Sequence, residues 1–269
     1  MTNLPDTGHR PPIDTSVPHS ARIWNHWLGG KDNYEADREV ARLMADRYPD
    51  LVSVARHSRA FQDRVITHLA EEVGIRQFLD LGTGLPLPGR NTHETAQRVA
   101  PEARVVYVDN DPLVLLHADA LLNGTPEGAS EYIEADFTDV EFVLEQAART
   151  LDLTRPVAVL SLSTLGHINP PGRAADLVHA YTSRLAAGSH LAVCDSRAGE
   201  RMRQAEAEYA DSGTAPYISR TEEEITACAR GLEILPPGLR PVTHWHPASA
   251  KPQVDPEPSE QYGFLARKP

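Results

Sequence analysis

Acidic side chains recur near the ends of short apolar runs, and two glycines follow the first of these acids. Asp80 precedes Gly82 and Gly84, whereas Asp109 and Asp136 each close a later apolar run. Glycine adopts left-handed backbone angles at little cost and lets a ligand approach the main chain. A carboxylate after the second strand can accept hydrogen bonds from both ribose hydroxyls, and one after the third can accept a hydrogen bond from an adenine amine. The three acids in series therefore predict an adenosine-binding pocket.

Strand and helix patterns alternate along the chain, which predicts a parallel sheet covered by helices on both faces. Capping boxes starting at Asn91 and Thr221 predict two of the helix starts. No helical pattern separates the last two expected strands, so the last strand should run antiparallel. We expect an α/β, Rossmann-like, mostly parallel seven-stranded sheet, with strands at 78–81, 105–109, 132–137, 157–162, 190–194, 232–235 and 262–267.

The N-terminal part of the chain has a different pattern. Residues 1–18 are rich in proline and polar side chains, and apolar residues then recur at helical spacing over 35–48 and 51–73. We therefore expect an N-terminal arm and helical cap over 1–74 and a cofactor-binding core over 75–269, together forming one compact domain.

Composition limits the partners. The chain has 269 residues and a formal net charge of −12, which disfavours nucleic acids and anionic membranes. Its two cysteines form no C-x-x-C pattern, and no apolar run reaches the length of a membrane span, so we expect a cytoplasmic protein. We expect no metal site, because His244 and His246 have no evident third ligand nearby. No pattern specifies an oligomeric state.

The spacing of the glycine turn bears on which adenosine cofactor binds. Nicotinamide cofactors use a third glycine and a helix N-terminus directed at their pyrophosphate. Here the third position is Leu87, and Pro86 and Pro88 push the helix start away from the turn. S-adenosylmethionine (SAM) carries no phosphate, and its cationic sulfonium and ammonium suit an acidic cleft with Asp80 at its base. The residues favour SAM and leave an NAD-dependent oxidoreductase as the alternative.

These motifs resemble those of the class I SAM-dependent methyltransferases. Residues 80–84 are similar to their glycine motif, Asp109 to their ribose acid, and residues 136–137 to their adenine-edge pair. From roughly residue 13 onward, the chain more specifically resembles the bacterial S-adenosyl methyltransferase family formerly catalogued as a domain of unknown function. The segments that carry this narrower resemblance are 20–33, 84–86, 91–94 and 107–112.

The resemblance implies a SAM-binding fold and brings no known substrate. The chain departs from the family pattern by extending the turn with Leu87-Pro88-Gly89, so the resemblance does not specify the path of loop 85–90 over the methionine end of the cofactor. The candidate cofactor-binding residues are Asp80, Gly82, Thr83, Gly84, Asp109, Asn110, Asp136, Phe137, Ser161 and Gly30.

Methyl transfer from a sulfonium is a displacement, and alignment of the reacting atoms in a dry pocket supplies much of its acceleration. If the acceptor is a hydroxyl, a histidine after the fourth strand can take its proton. His167 is the candidate catalytic residue, and a histidine merely packed in a loop is the alternative.

The segment from Trp24 to Tyr34, with Gly29-Gly30 inside it, suits a lid over the sulfonium, because aromatic faces attract cations. Core anchoring by the two tryptophans is the alternative for this segment. We therefore expect a SAM-dependent methyltransferase that acts on an unidentified small molecule. The absence of a convincing base keeps a catalytically silent SAM-binding regulator as a further alternative.

Overall fold

The structure is a computed structural model that describes residues 13–114, 116, 124–246 and 259–269. Most of the predicted arm, residues 1–12, lies outside the described residues. The eight strands are β1 (Gln77–Leu81), β2 (Arg104–Asp109), β3 (Ala129–Glu134), β4 (Ala158–Leu162), β5 (His190–Ser196), β6 (Glu233–Ile234), β7 (Arg240–Pro241) and β8 (Gln261–Arg267).

All eight strands belong to one sheet, in the order β3-β2-β1-β4-β5-β8-β6, with β7 also pairing with β8. Strands β1 to β5 are mutually parallel, whereas β8 is antiparallel to β5, β6 and β7. This confirms the predicted Rossmann-like, mostly parallel sheet and its antiparallel last strand. β8 lies between β5 and β6, so the C-terminal strand completes the sheet beside its central part.

Two details of the strand prediction are wrong. The described sheet has eight strands rather than seven, because β7 is a two-residue pairing that includes Pro241, which has no amide proton and gives no strand pattern. The third strand also ends earlier than predicted. Its ladder with β2 closes at the pair Asp109 and Glu134, so Asp136 and Phe137 lie in the turn beyond it.

The helices are α1 (Ser20–Trp27), α2 (Glu35–Arg47), α3 (Asp50–His68), α4 (Thr92–Val99), α5 (Val140–Ala147), α6 (Pro171–Ser183), α7 (Glu200–Asp211) and α8 (Glu222–Ala227). Both predicted capping boxes are confirmed. The Glu94 carboxylate accepts the Asn91 amide at 2.9 Å, and the Glu224 carboxylate accepts the Thr221 amide at 2.9 Å. Nowhere in the described ranges is a helix both long enough and apolar enough to cross a bilayer.

Alternating side chains of the sheet supply two hydrophobic layers. On one face, Leu79 and Val106 pack in a cluster with residues of α5 and α6. On the other face, Phe78 and Val105 pack with Phe61 and other residues of α3. Strand β1 is buried along its whole length, as expected for a central parallel strand covered on both sides. Helix α3 therefore shares its core with the sheet.

Helices α1 and α2 form a smaller cluster with α7, in which Ile23 and Met44 contact Ala205 and Tyr209 among others. A buried ion pair also attaches α1 to the loop after β2. Arg22 donates from Nε and Nη2 to the two carboxylate oxygens of Asp111, each at 3.1 Å. Both side chains are almost inaccessible to solvent, so α1 is fixed to the end of the sheet by paired charges.

Replacing Arg22 by methionine should therefore destabilise the protein. The Asp111 carboxylate would lose its bidentate partner while remaining buried, which costs about 3–5 kcal/mol of unfolding free energy. Urea denaturation followed by circular dichroism measures the change. The matched control is Arg230→Met, which breaks the exposed pair with Asp176 and should cost about 0–1 kcal/mol. Equal losses in the two variants would contradict the assignment of α1 attachment to this pair.

Candidate functional site

A cleft lies at the carboxyl ends of the central parallel strands and contains ≈970 Å³ of empty space, counting its open mouth. In open α/β sheets, ligands bind beyond these ends where the strand order reverses, which here is at β1, between β2 and β4. The predicted residues that line the cleft are Asp80, Gly82, Thr83, Gly84, Asp109, Asn110, Phe137 and His167. The structure thus brings most of the candidate cofactor residues together with the candidate base.

The glycine turn forms the floor of the cleft. Gly82 and Gly84 have φ angles of 66° and 67°, in the left-handed region that other residues rarely adopt. Gly82 also lies against the loop after β4, because a Cβ atom built on it would come within 2.2 Å of the Thr164 methyl carbon. Its amide donates to the Val108 carbonyl at 2.8 Å and so holds the turn against β2. Both the angle and the close approach require glycine at position 82.

Asp109 connects the glycine turn to the end of β2. One carboxylate oxygen accepts the Gly84 amide at 2.7 Å, and the other accepts the Asp111 amide at 3.0 Å. Burial raises the pKa of Asp109, and the two amide hydrogen bonds oppose that rise. A carboxylate accepts about four hydrogen bonds, so both oxygens keep acceptor capacity for ligand hydroxyls.

Asp80 lies beneath the turn in a network with helix α3. Its Oδ2 atom accepts the Thr92 hydroxyl at 2.6 Å, and Thr92 in turn accepts the Gln62 amide at 2.8 Å. Arg59 donates to the Gln62 side chain at 2.8 Å and to the Thr83 carbonyl at 3.1 Å. Burial raises the pKa of Asp80, whereas the nearby Arg59 charge lowers it. The cleft therefore presents a carboxylate and a guanidinium side by side.

Three α3 residues in the cleft wall were missed by the sequence analysis: Ser58, Arg59 and Gln62. Ser58 and Gln62 lie one and two turns beyond Val54 on a helical stripe and are both buried. Polar residues inside a helical apolar stripe were the available signal. Without the packing that brings α3 over β1, these polar residues could not be assigned to the cleft.

Helix α1 and its N-cap residue His19 supply another wall of the cleft, which includes Ala21 and Trp24. Gly30, predicted to bind the cofactor, does not line it. Its α-carbon packs against the Asn25 side chain, where a Cβ atom would come within 2.3 Å of the amide nitrogen. Gly30 therefore makes room for Asn25, which accepts the Asp32 amide at 3.0 Å and orders the turn after α1.

Asp136 and Ser161 also lie outside the cleft wall. Asp136 is exposed in the turn after β3, where it accepts the Thr138 amide at 2.8 Å. Ser161 is fully buried within β4, and its side chain points toward the layer that contains Val159 rather than toward the cleft. The residue types near the strand ends predicted a polar site at this edge of the sheet. Whether a given side chain faces the cleft depends on its position relative to the end of its strand.

The loop after β4 adds Ser163, Thr164 and His167 to the cleft. Ser163 has a φ angle of 62°, an uncommon conformation for a residue with a Cβ atom. Its hydroxyl lies 3.1 Å from that of Ser58, so the loop is fastened to α3. Of these three residues, only His167 was predicted from the sequence.

The orientation of His167 determines what it can do. Its Nδ1 atom lies 2.9 Å from the Pro216 carbonyl oxygen, and a carbonyl can only accept a hydrogen bond. Nδ1 therefore carries the proton, and Nε2 keeps its lone pair in the neutral ring. Burial lowers the pKa of His167, which keeps the ring neutral near pH 7. The ring also packs edge to face on Tyr217, with centroids 5.3 Å apart.

The cleft fits a nucleoside with an amino-acid tail. Asp109 can accept ribose hydroxyls, while Asp80 and Arg59 can pair with an ammonium and a carboxylate respectively. SAM carries all of these groups. In the described part of the chain, no group of three or more His, Cys, Asp or Glu side chains is placed to hold a metal ion.

Comparisons with known proteins agree with this geometry. A family model described as S-adenosyl methyltransferase matches residues 6–269. A DUF574-family protein from Streptomyces avermitilis MA-4680 is 42% identical, with a TM-score of 0.89 over 96% of this chain and 100% of that one. A candidate methyltransferase from Thermobifida fusca YX is 36% identical, with a TM-score of 0.86 over 96% and 97% of the two chains.

A more distant structure, the plantazolicin methyltransferase BpumL in complex with S-adenosylhomocysteine (SAH), has a TM-score of 0.50 at 10% identity, over 93% of this chain and 95% of that one. A likeness at this level shows the fold alone. The search of curated proteins found no match.

The glycine turn yields a stability prediction. Gly82→Ala should cost about 2–5 kcal/mol, the sum of about 1–2 for a left-handed alanine and about 1–3 for overpacking against Thr164. The control is Gly89→Ala, whose φ is 81° but whose Cβ position is open. It should incur only the backbone cost of about 1–2 kcal/mol. Urea unfolding of both variants measures the difference, and equal losses would show that the contact with Thr164 adds nothing.

Proposed function

We propose that this chain, which belongs to the S-adenosyl methyltransferase family, transfers the methyl group of SAM to a small molecule. Membership of this family supports SAM-dependent methyl transfer over the NAD-dependent oxidoreductase that the sequence left as the alternative. The small-molecule acceptor and the roles of individual residues are the proposal.

The position of helix α1 carries the proposal of a small acceptor. His19, Ala21 and Trp24 stand over the cleft as a wall, and the buried Arg22–Asp111 pair fixes that wall to the sheet. A macromolecular acceptor would need an open approach to the methyl group, and a wall at this side of the cleft favours a small acceptor instead. The chain's net charge of −12 also repels nucleic-acid acceptors.

We propose that different cleft residues bind different groups of the cofactor. We assign the ribose hydroxyls to Asp109, the ammonium of the methionine tail to Asp80, and its carboxylate to Arg59. Phe137 lines the cleft beside the expected adenine position, and Asp136 in the adjoining turn stays a candidate for the adenine amine. The structural support is the pair of opposite charges at Asp80 and Arg59, which matches a zwitterion.

When bound, SAM supplies an electrophilic methyl group on a sulfonium. The protein's contribution is to align the acceptor with that carbon and to exclude water. If the acceptor is a hydroxyl, Nε2 of His167 would accept its proton when the oxygen takes the methyl group that SAM supplies. The Pro216 carbonyl holds the ring in the required tautomer throughout.

Cofactor binding tests the assignment of Asp109. Asp109→Asn should weaken SAH binding by about 10- to 100-fold, because hydrogen bonds to a charged acceptor contribute about 1.5–3 kcal/mol. Isothermal titration calorimetry measures the affinity, and circular dichroism checks folding. Asp136→Asn is the matched comparison and should have a smaller effect, because Asp136 is exposed to competing water. Undiminished SAH affinity in folded Asp109→Asn would refute the assignment.

The proposed base is tested by nuclear magnetic resonance of the imidazole nitrogens, with His167→Gln identifying the His167 signals. We expect Nδ1 protonated at neutral pH and a titration midpoint below the ordinary value of about 6.5, because burial lowers the pKa. Transfer to a hydroxyl would then be lost as the pH falls through that midpoint, because Nε2 becomes protonated. A proton on Nε2 of the neutral ring, or a midpoint above the ordinary value, would rule out this base.

A further inference from the structure

A second cavity adjoins the cofactor cleft, between the N-terminal helices and α7. It contains ≈500 Å³ of empty space, counting its open side. Its walls are aromatic and thioether side chains for the most part, including Trp24, Trp27, Met44, Met202, Tyr209 and Tyr217. Apolar cavities with few polar groups are typical of small-molecule sites.

Two residues belong to both spaces. Trp24 and His167 line the cofactor cleft and also line the apolar cavity. A molecule in the cavity therefore meets the cofactor cleft where the indole of Trp24 and the imidazole of His167 border both spaces. This shared boundary is where an acceptor atom has to lie to reach a methyl group held in the cleft.

Three polar groups of the cavity are already engaged within the protein. The Tyr217 hydroxyl donates to the buried Asp195 carboxylate. The Ser196 hydroxyl accepts the Gln261 side-chain amide at 2.9 Å, and the Glu206 carboxylate accepts the Ser219 amide at 2.6 Å. Nε2 of His167 is different, since only Nδ1 is held, by the Pro216 carbonyl.

Charge further restricts the occupant. Among the described residues that line the cavity, none is lysine or arginine, whereas Glu206 contributes a carboxylate. Transfer of an anion from water into such surroundings is costly unless a partner compensates its charge. An uncharged molecule incurs no such cost and gains from the aromatic walls.

We propose that this cavity binds the methyl acceptor, and that the acceptor is an uncharged, largely apolar molecule that presents an O–H or N–H group to His167. The assignment rests on the proposed function, because it takes the adjoining cleft as the SAM site. It adds a substrate class and a location that the family does not specify.

The test uses 2-naphthol as an uncharged apolar probe and 2-naphthyl phosphate as its anionic counterpart, with SAH as the cofactor-site ligand. Calorimetry on the full-length protein should give 2-naphthol at least about tenfold tighter binding than the phosphate ester, a difference of about 1.4 kcal/mol. Equal or tighter binding of the ester would overturn the proposed substrate class.

Met202→Trp tests the location, because the larger side chain fills the cavity from α7 without touching the cofactor cleft. It should weaken 2-naphthol binding by at least about tenfold and leave SAH affinity unchanged. The control is Ala207→Trp on the exposed face of the same helix, which should change neither. Unchanged 2-naphthol binding in folded Met202→Trp would overturn the location.

Met202→Lys covers the case in which the tryptophan variant fails to fold, since a half-buried lysine can direct its ammonium to water. It should reduce the preference for 2-naphthol over the phosphate ester, and an unchanged preference would contradict the location. Failure of SAH to bind the wild type would refute the proposed function itself. Binding of SAH without binding of 2-naphthol would refute only the acceptor cavity.

Discussion

The buried ion pair between Arg22 and Asp111 is the contact on which the α1 wall of the cleft depends. Removing both charges from water is costly, and the bidentate geometry with two 3.1 Å hydrogen bonds compensates that cost. The Asp111 amide also donates to Asp109 at 3.0 Å. The wall that α1 contributes and the acid at the end of β2 are therefore linked through one loop, so displacement of α1 would also disturb Asp109.

The parts of the site that are local in sequence were predictable. Asp80, Gly82 and Gly84 follow one strand, and Asp109 follows the next, so the β-α rhythm alone brings them to one edge of the sheet. Arg59 was not predictable in this way. It reaches the cleft because α3 packs over the sheet through an apolar face, and that packing joins segments more than twenty residues apart.

The other predictions that differ from the structure were based on residue type alone, without the surroundings of each residue. Gly30 follows two tryptophans, and this composition suggested a flexible lid. In the structure it packs against Asn25, where a larger residue would collide with the Asn25 side chain. Ser161 is one residue short of the strand end and faces a buried layer. The third strand was placed three residues too late, because its pairing with β2, rather than its apolar character, determines where it ends.

The two adjoining spaces differ in polarity, and His167 stands between them. A main-chain carbonyl, rather than a carboxylate, orients its ring, and burial lowers its pKa, so His167 is a weak base. A weak base accepts a proton most readily from a donor that is itself acidic. A phenol, with a pKa of about 10, is a far better proton donor than an aliphatic alcohol, whose acidity is close to that of water. The aromatic walls of the proposed acceptor cavity suit the same class of molecule, so under the proposed function the base and the cavity both favour a phenolic or comparably acidic acceptor.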